Sequence, residues 1–231
     1  MKHLGITVRF SVRMMVMCVG WFMVHSPMAS ALTISGETAT ASSAYYSGLD
    51  PSNAVNDSAL TNVSGIFYHW GSGNPNYRWL TVNSNLGQTD TNPWYTVDLG
   101  AKYSISSYRV WNYNESGGTM RGVSNAFITY SLTNSAGTGT TLATNVFTIG
   151  DDINAPGEPG DLFVPATPFQ AQYVRFNILN NFTGIAGDGY GFSEVQFYGV
   201  ALPEPSTWSM LGLGLVGLLC RQRWAGRRFG S

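Results

Sequence analysis

The sequence predicts an all-β protein, an antiparallel β-sandwich, and three observations predict it. Between residues 32 and 200 helix signals are scarce, and Gly, Ser, Thr and Asn dominate. β-Branched and aromatic residues recur there in short runs, the composition of half-buried strands. The runs are separated by turn residues, with no internal repeat and no helical period between them, as in a sandwich.

The strands follow in order. "WYTVDLG" (94–100) is a strand ending at Gly100, and "SISSYRVWNYN" (104–114) follows after a tight turn at Ala101-Lys102. "NAFITYSL" (125–132) places Ala126, Ile128 and Tyr130 on one face, and "NVFTIG" (145–150) is another short strand. "AQYVRFNIL" (171–179) alternates, with Val174, Phe176 and Ile178 inward and Tyr173, Arg175 and Asn177 outward. "SEVQFYGV" (193–200) puts Val195 and Phe197 on one face. Prolines and glycines through 151–168 predict a loop.

The two ends differ from this body. Residues 1–31 open with Lys2, Arg9 and Arg13, continue with an apolar stretch from Met14 to Val24, and finish at Ala29-Ser30-Ala31. Basic, apolar and small-residue parts in that order predict a secretory signal peptide. The other end, 201–231, carries Pro203-Glu204-Pro205, an uncharged run from Trp208 to Cys220, then Arg221, Arg223, Arg227 and Arg228. Its 13 residues fall short of the about 20 that a membrane helix needs. Arginines behind such a run resist translocation.

Without its ends the body, 32–200, holds five basic and twelve acidic residues, a net of −7. That balance argues against nucleic acid, which is bound by clustered Lys and Arg. Both cysteines, Cys18 and Cys220, lie in the end segments. An exported body without disulfides is held by its core, or by a core plus a metal.

Two resemblances add to this. The tail resembles the PEP-CTERM sorting signal of Gram-negative bacteria, which implies recognition and processing near Pro203-Glu204-Pro205 by the membrane protease-transpeptidase exosortase. The body resembles a discoidin (coagulation factor V/VIII type C) domain, on "ATASSAY" (39–45), "NAVNDSALTN" (53–62), "WYTVDLG", "ISSYRVWNYNE" (105–115), "RGVSNAFITYS" (121–131), "AQYVRF" (171–176) and "GFSEVQFYG" (191–199). The resemblance implies a galactose-binding-like jelly roll. The sequence departs from the family in lacking a disulfide between the domain ends, and in carrying Asn56 and Asp57 where an acidic residue and a glycine are usual.

The same resemblance implies a structural Ca²⁺ joining the loop after the first strands to the last strand. Its implied ligands are the backbone of Asn53, the side chains of Asn56 and Thr61, Ser58, and Glu194, with Asp57 supplying charge if the loop is shifted by one. Such hard oxygen donors suit Ca²⁺. The competing reading is an Asn/Asp/Ser turn with a solvated Glu194.

Carbohydrate binding in such modules uses loops at one end of the sandwich, where aromatic rings stack on a pyranose and polar groups fork onto its hydroxyls. The stretch 62–93 gathers Phe67, Tyr68, His69, Trp70, Tyr77, Arg78 and Trp79. A loop this aromatic is either a binding surface or a small core of its own. The Gly-rich loop 180–192, with Asp188 and Tyr190, is a second candidate, and Glu115 with Arg121 forms a pair or presents polar groups to a ligand.

Catalytic patterns are scarce. His69 is the one histidine of the body, and neither a Gly-x-Ser-x-Gly elbow nor a His-Glu-x-x-His motif occurs. The leading expectation is an exported, non-enzymatic surface or matrix protein that binds extracellular or envelope polysaccharide and passes transiently through the inner membrane. The alternatives are an adhesive matrix protein without a specific sugar site, and an envelope glycan hydrolase working through two acids.

Overall fold

The structure is a computed structural model that describes residues 31–70, 73–152 and 157–203. Its strands are β1 (Leu32–Thr33), β2 (Thr38–Ala41), β3 (Leu60–Val63), β4 (Ile66–His69), β5 (Trp79–Leu80), β6 (Trp94–Asn112), β7 (Val123–Ser131), β8 (Thr140–Val146), β9 (Asp161–Phe163), β10 (Phe169–Asn181) and β11 (Gly191–Ala201). All pairings between these strands are antiparallel, and the helical segments among the described residues are short 3₁₀ turns. The fold is an antiparallel β-sandwich.

The long strand β6 organises both layers. Its first half pairs with β2 and β10, and β10 passes the sheet on to β7 and then β8. Its second half pairs with β11 and β9, while β11 carries β1 and β5 on its other edge. The chain changes layer at Gly100, which stands at φ +75° and donates its N–H to Asp98 Oδ1 at 2.9 Å. The sequence predicts two strands here; the structure runs them as one, with β10 pairing on both sides of the bend. β10 makes its matching bend through a bulge between Ala171 and Tyr173.

Alternation fills the space between the layers. Val174, Phe176 and Ile178 are buried as their spacing predicts, as are Ala126 and Ile128, while Tyr130 is half-buried. Tyr95, Tyr108, Phe176, Phe192 and Trp79 form an aromatic centre, with ring centroids 4.9 Å apart for Trp79–Tyr95 and 5.4 Å for Phe176–Phe192.

β11 departs from simple alternation. Every residue from Gly191 to Phe197 is buried, because its outer face is covered too. The cover is the 3₁₀ turn Pro51–Val55, anchored by Tyr95 Oη donating to the Pro51 carbonyl at 2.9 Å, and the loop after it, where Asp57 accepts from the Gln196 amide. The β3–β4 hairpin follows. The hairpin turns through Ser64 and Gly65, both at positive φ (54° and 86°), the backbone a two-residue hairpin requires. Trp111 Nε1 donates to the Phe67 carbonyl at 3.3 Å and ties the hairpin to the sheet. The loop predicted over 151–168 contains the short strand β9, and the strand predicted at 145–150 runs earlier, over 140–146.

Candidate functional site

The aromatic stretch 62–93 is folded structure: hairpin, 3₁₀ turn, β5 and a further 3₁₀ turn. Its side chains part company. Trp79 is fully buried in the core, with Nε1 donating to the Ser43 carbonyl at 2.9 Å. His69 is buried, with Nε2 3.0 Å from the Tyr77 carbonyl; burial depresses its pKa to about 4. Tyr68 and Tyr77 are half-buried, and Tyr190 is buried beside β5. Phe67 and Trp70 are exposed. The structure therefore does not gather these residues around one opening.

Arg78 is the centre of a different arrangement. It is 1% exposed, and its charge is met inside the protein. Nη2 donates to Glu115 Oε1 at 2.8 Å, Nε donates to Tyr113 Oη at 3.3 Å, and Nη1 donates to the Asn74 carbonyl at 3.1 Å. Glu115 Oε2 accepts from Tyr113 Oη at 2.8 Å and from Arg121 Nη1 at 2.9 Å. One carboxylate thus orients two guanidinium groups, the inner one locked and the outer one half-exposed.

Arg121 opens onto a cleft of about 270 Å³ at one end of the sandwich. Its walls come from three loops: Asn83, Ser84 and Asn85; Gly117 to Arg121; and Thr183 with Gly187 and Asp188. Each loop is held by its own hydrogen bonds. Asn83 is buried and its Oδ1 accepts from Asn85 N at 3.0 Å. Asn181 Nδ2 donates to the Ile185 and Gly189 carbonyls, both at 2.9 Å. Gly118 lies so close to Glu115 that a Cβ there would stand 2.7 Å from Oε2. The cleft offers amides, hydroxyls, a guanidinium and the Asp188 carboxylate, with Met120 as its apolar contact. None of the aromatic side chains from 67 to 79 lines it.

A second polar feature lies on the outer face of β11. Glu194 is fully buried, and among the described residues neither carboxylate oxygen has a hydrogen-bond partner of good geometry, although the backbone of Val195 and Asp57 lies close. Burial, with Asp57 nearby, pushes its pKa well up. Glu37 is pushed up to about 7 by burial, and Asp57 adds to the effect. The loop facing this carboxylate holds two non-glycine residues in the left-handed region, Asp57 (φ 58°) and Ala59 (φ 63°). Backbone like this costs on the order of 1–3 kcal/mol per residue and collects at functional sites.

Two family models match parts of the chain. Residues 71–176 match the NedA-like, galactose-binding domain model of the F5/F8 type C family. Residues 201–223 match the PEP-CTERM protein-sorting motif. The β-sandwich also resembles solved structures. One is a CBM32 domain of a family 31 glycoside hydrolase from Clostridium perfringens: 20% identity, TM-score 0.52, covering 73% of this chain and 94% of that one. Another is the F5/8 type C domain of a Bacteroides fragilis protein, at 16% identity and TM-score 0.50, covering 75% and 97%. At these identities the likeness shows the fold. None of the curated proteins compared with the chain matches it.

The resemblance of the body to discoidin domains implies a calcium ion, and the chemistry of the residues present would suit one. Glu194 is a buried carboxylate without partners, which a cation satisfies better than an apolar pocket. Asn53 lies in the 3₁₀ turn Pro51–Val55, Asn56 caps its end, Ser58 sits in the short turn that follows, and Thr61 comes next in β3. Asn53 Nδ2 is committed to the Gly48, Pro75 and Arg78 carbonyls, which leaves the backbone of Asn53 for an ion, as the resemblance implies. Asn56 Oδ1 accepts from Ser58 N at 2.8 Å. Among the described residues no group of three or more His, Cys, Asp or Glu is arranged to hold a metal; a Ca²⁺ here relies on carbonyl, amide and hydroxyl oxygens around a single buried carboxylate.

Of the sorting residues, Pro203 is exposed directly after β11, where Leu202 N donates to the Lys102 carbonyl at 2.8 Å. Glu204, Pro205, Arg221 and Arg223 lie outside the described residues, as do the predicted signal peptide and the apolar run. Among the described residues no helix is long and apolar enough to cross a membrane. In the sequence Glu115, Arg121 and Asp188 stand as secondary candidates, and nothing there marks Asn83. The spacing between them carries no local signal, since they meet only when three loops converge.

Proposed function

We propose that this chain is an exported, non-enzymatic carbohydrate-binding protein, sorted through its PEP-CTERM motif and processed by an exosortase near Pro203. The observation that carries the binding role is the cleft at the loop end. Its about 270 Å³ lies just under the range of about 300–1,000 Å³ usual for drug-sized ligands, a size suited to one small polar ring. Paired donors and acceptors on fixed loops match the vicinal hydroxyls of a sugar, and Arg121 is a planar fork preset by Glu115. The matching family model is a galactose-binding domain, so galactose is the first ligand to test.

Calcium belongs to the same reading as a structural ion. Glu194, Asn56, Ser58 and Thr61 with the Asn53 backbone hold it, and it clips the loop before β3 to β11. Its role is to neutralise a buried charge and fix the outer face of the sheet.

Export supplies the setting. The sorting motif begins where the last strand ends, so the folded domain stays clear of a membrane-bound protease while Pro203 is presented to it. A glycan array probed with the purified protein tests the reading. Binding to galactose-containing glycans that Arg121→Ala abolishes supports it. A blank array from a folded protein favours an adhesive matrix role without a specific sugar site.

A further inference from the structure

A second opening lies away from the loop-end cleft and shares none of its lining residues. It is a groove of about 280 Å³ on the outer face of the β6–β11 sheet, past the tip of the β3–β4 hairpin. Strand register builds its floor. Ser107 pairs with Tyr198, and Arg109 pairs with Gln196 on one side and Leu162 of β9 on the other. Ile66 and Phe67 of the hairpin form the opposite wall, both exposed.

Arg109 is held in place without an ion pair. Nη1 donates to the carbonyls of Pro159 at 2.7 Å and Gly160 at 3.0 Å, and the guanidinium lies over the Trp111 ring at 5.8 Å. Among the described residues its charge has no carboxylate partner. The acids in its vicinity are engaged elsewhere: Asp161 accepts from Thr148 N and Oγ1, and Asp57 accepts from the Gln196 amide. Tyr198 donates its hydroxyl to Gln196 Oε1 at 2.9 Å, which fixes the phenol on the groove floor.

From this geometry we infer a second saccharide site that takes a carboxylate-bearing sugar, a uronate unit of an acidic polysaccharide. An oriented guanidinium without a carboxylate partner, its Nη1 held by two carbonyls, can present its remaining N–H groups to a carboxylate. The Phe67 and Tyr198 rings offer the flat apolar surface that a pyranose covers, and the Ser107 hydroxyl is placed to meet a ring hydroxyl. The site rests on the carbohydrate-binding reading of the domain but not on the loop-end cleft. With both sites filled, one molecule joins two glycan strands, which raises avidity without any new contact.

The test uses the full-length protein with trigalacturonic acid and galactose as separate probes in titration calorimetry. The short oligomer avoids calcium-linked gels. Wild type binds trigalacturonic acid, and Phe67→Ala and Arg109→Gln each weaken that binding at least tenfold while leaving galactose binding unchanged. Arg121→Ala does the reverse. Phe67 is exposed, so its variant folds and keeps the test valid if Arg109→Gln is unstable. No binding of trigalacturonic acid by wild type, equal binding by the Phe67 variant, or loss through Arg121→Ala overturns the second site. If trigalacturonic acid binds as described and galactose does not, the groove stands and the loop-end cleft loses its sugar.

Discussion

Arg78 and Glu115, 37 residues apart, meet at 2.8 Å beneath the loop-end cleft, and the same carboxylate carries Arg121 on its other oxygen. The buried arginine holds the carboxylate, and the carboxylate aims the exposed arginine. Glu115→Gln removes the charge that both arginines share. Leaving a buried charge unpaired costs about 3–5 kcal/mol; with Glu115 partly exposed, about 2 kcal/mol is expected here. Denaturant unfolding measures that loss, and galactose affinity falls with it. Arg121→Ala, in contrast, weakens galactose binding with little change in stability.

Glu194 and the calcium ion proposed beside it make stability depend on metal. A ligand present at about 100 times its dissociation constant stabilises the native state by about 2.7 kcal/mol. A chelator therefore lowers the melting temperature of wild type. In Glu194→Gln the chelator has no effect. Equal melting of wild type with and without chelator removes the ion.

Glu158 gives a pH signature. Burial, with Asp161 and Asp151 nearby, raises its pKa to about 9. In the unfolded chain it ionises near 4.5. Between those values the unfolded state binds fewer protons, so this group's contribution to stability is complete below pH 4.5 and declines as pH rises toward 9. The slope is on the order of 1.4 kcal/mol per pH unit. Glu158→Gln does not ionise, so its stability relative to wild type increases from pH 5 to pH 9. A difference that stays flat across that range contradicts a neutral Glu158.

His69 acts in the opposite direction. Its pKa is lowered to about 4, so below pH 6.5 the unfolded state takes up a proton that the folded state refuses. Stability from this group declines as pH falls from 6.5 to 4. His69→Gln is less sensitive to acid than wild type over that window, as melting at pH 4.5 and pH 7 measures.

Trp79 tests the division between packing and binding. It is fully buried against Tyr95 and Phe192. Trp79→Ala lowers stability by about 3–5 kcal/mol, the usual effect of emptying a large core site. At temperatures where the variant is still folded, galactose binding is preserved.

The sandwich was legible in the sequence where one face of a strand is buried. The alternation of Val174, Phe176 and Ile178 appears in the structure as written, because β10 is polar on its other side. In β11 Val195 and Phe197 share the buried face as their spacing predicts, but Glu194 and Gln196 on the other face are buried as well under the Pro51–Val55 turn and the loop after it, a tertiary fact without a local trace. The hairpin did have a signal: Ser64-Gly65 between Val63 and Ile66 marks a two-residue turn. The aromatic stretch was conspicuous in composition, yet composition does not tell a stacking platform from a core. Trp79 and Trp70, nine positions apart, end in opposite surroundings. The cleft residues Asn83, Arg121 and Asp188 come from three loops, and no spacing rule links them.

The measurement that bears most directly on the account is the amide spectrum of the purified protein during a galactose titration, with backbone resonances assigned. The account predicts saturable shifts confined to residues 83–85, 117–121 and 183–188, and their disappearance in Arg121→Ala. Shifts concentrated elsewhere, or a spectrum that does not respond to galactose or to galactose-containing oligosaccharides, would contradict it.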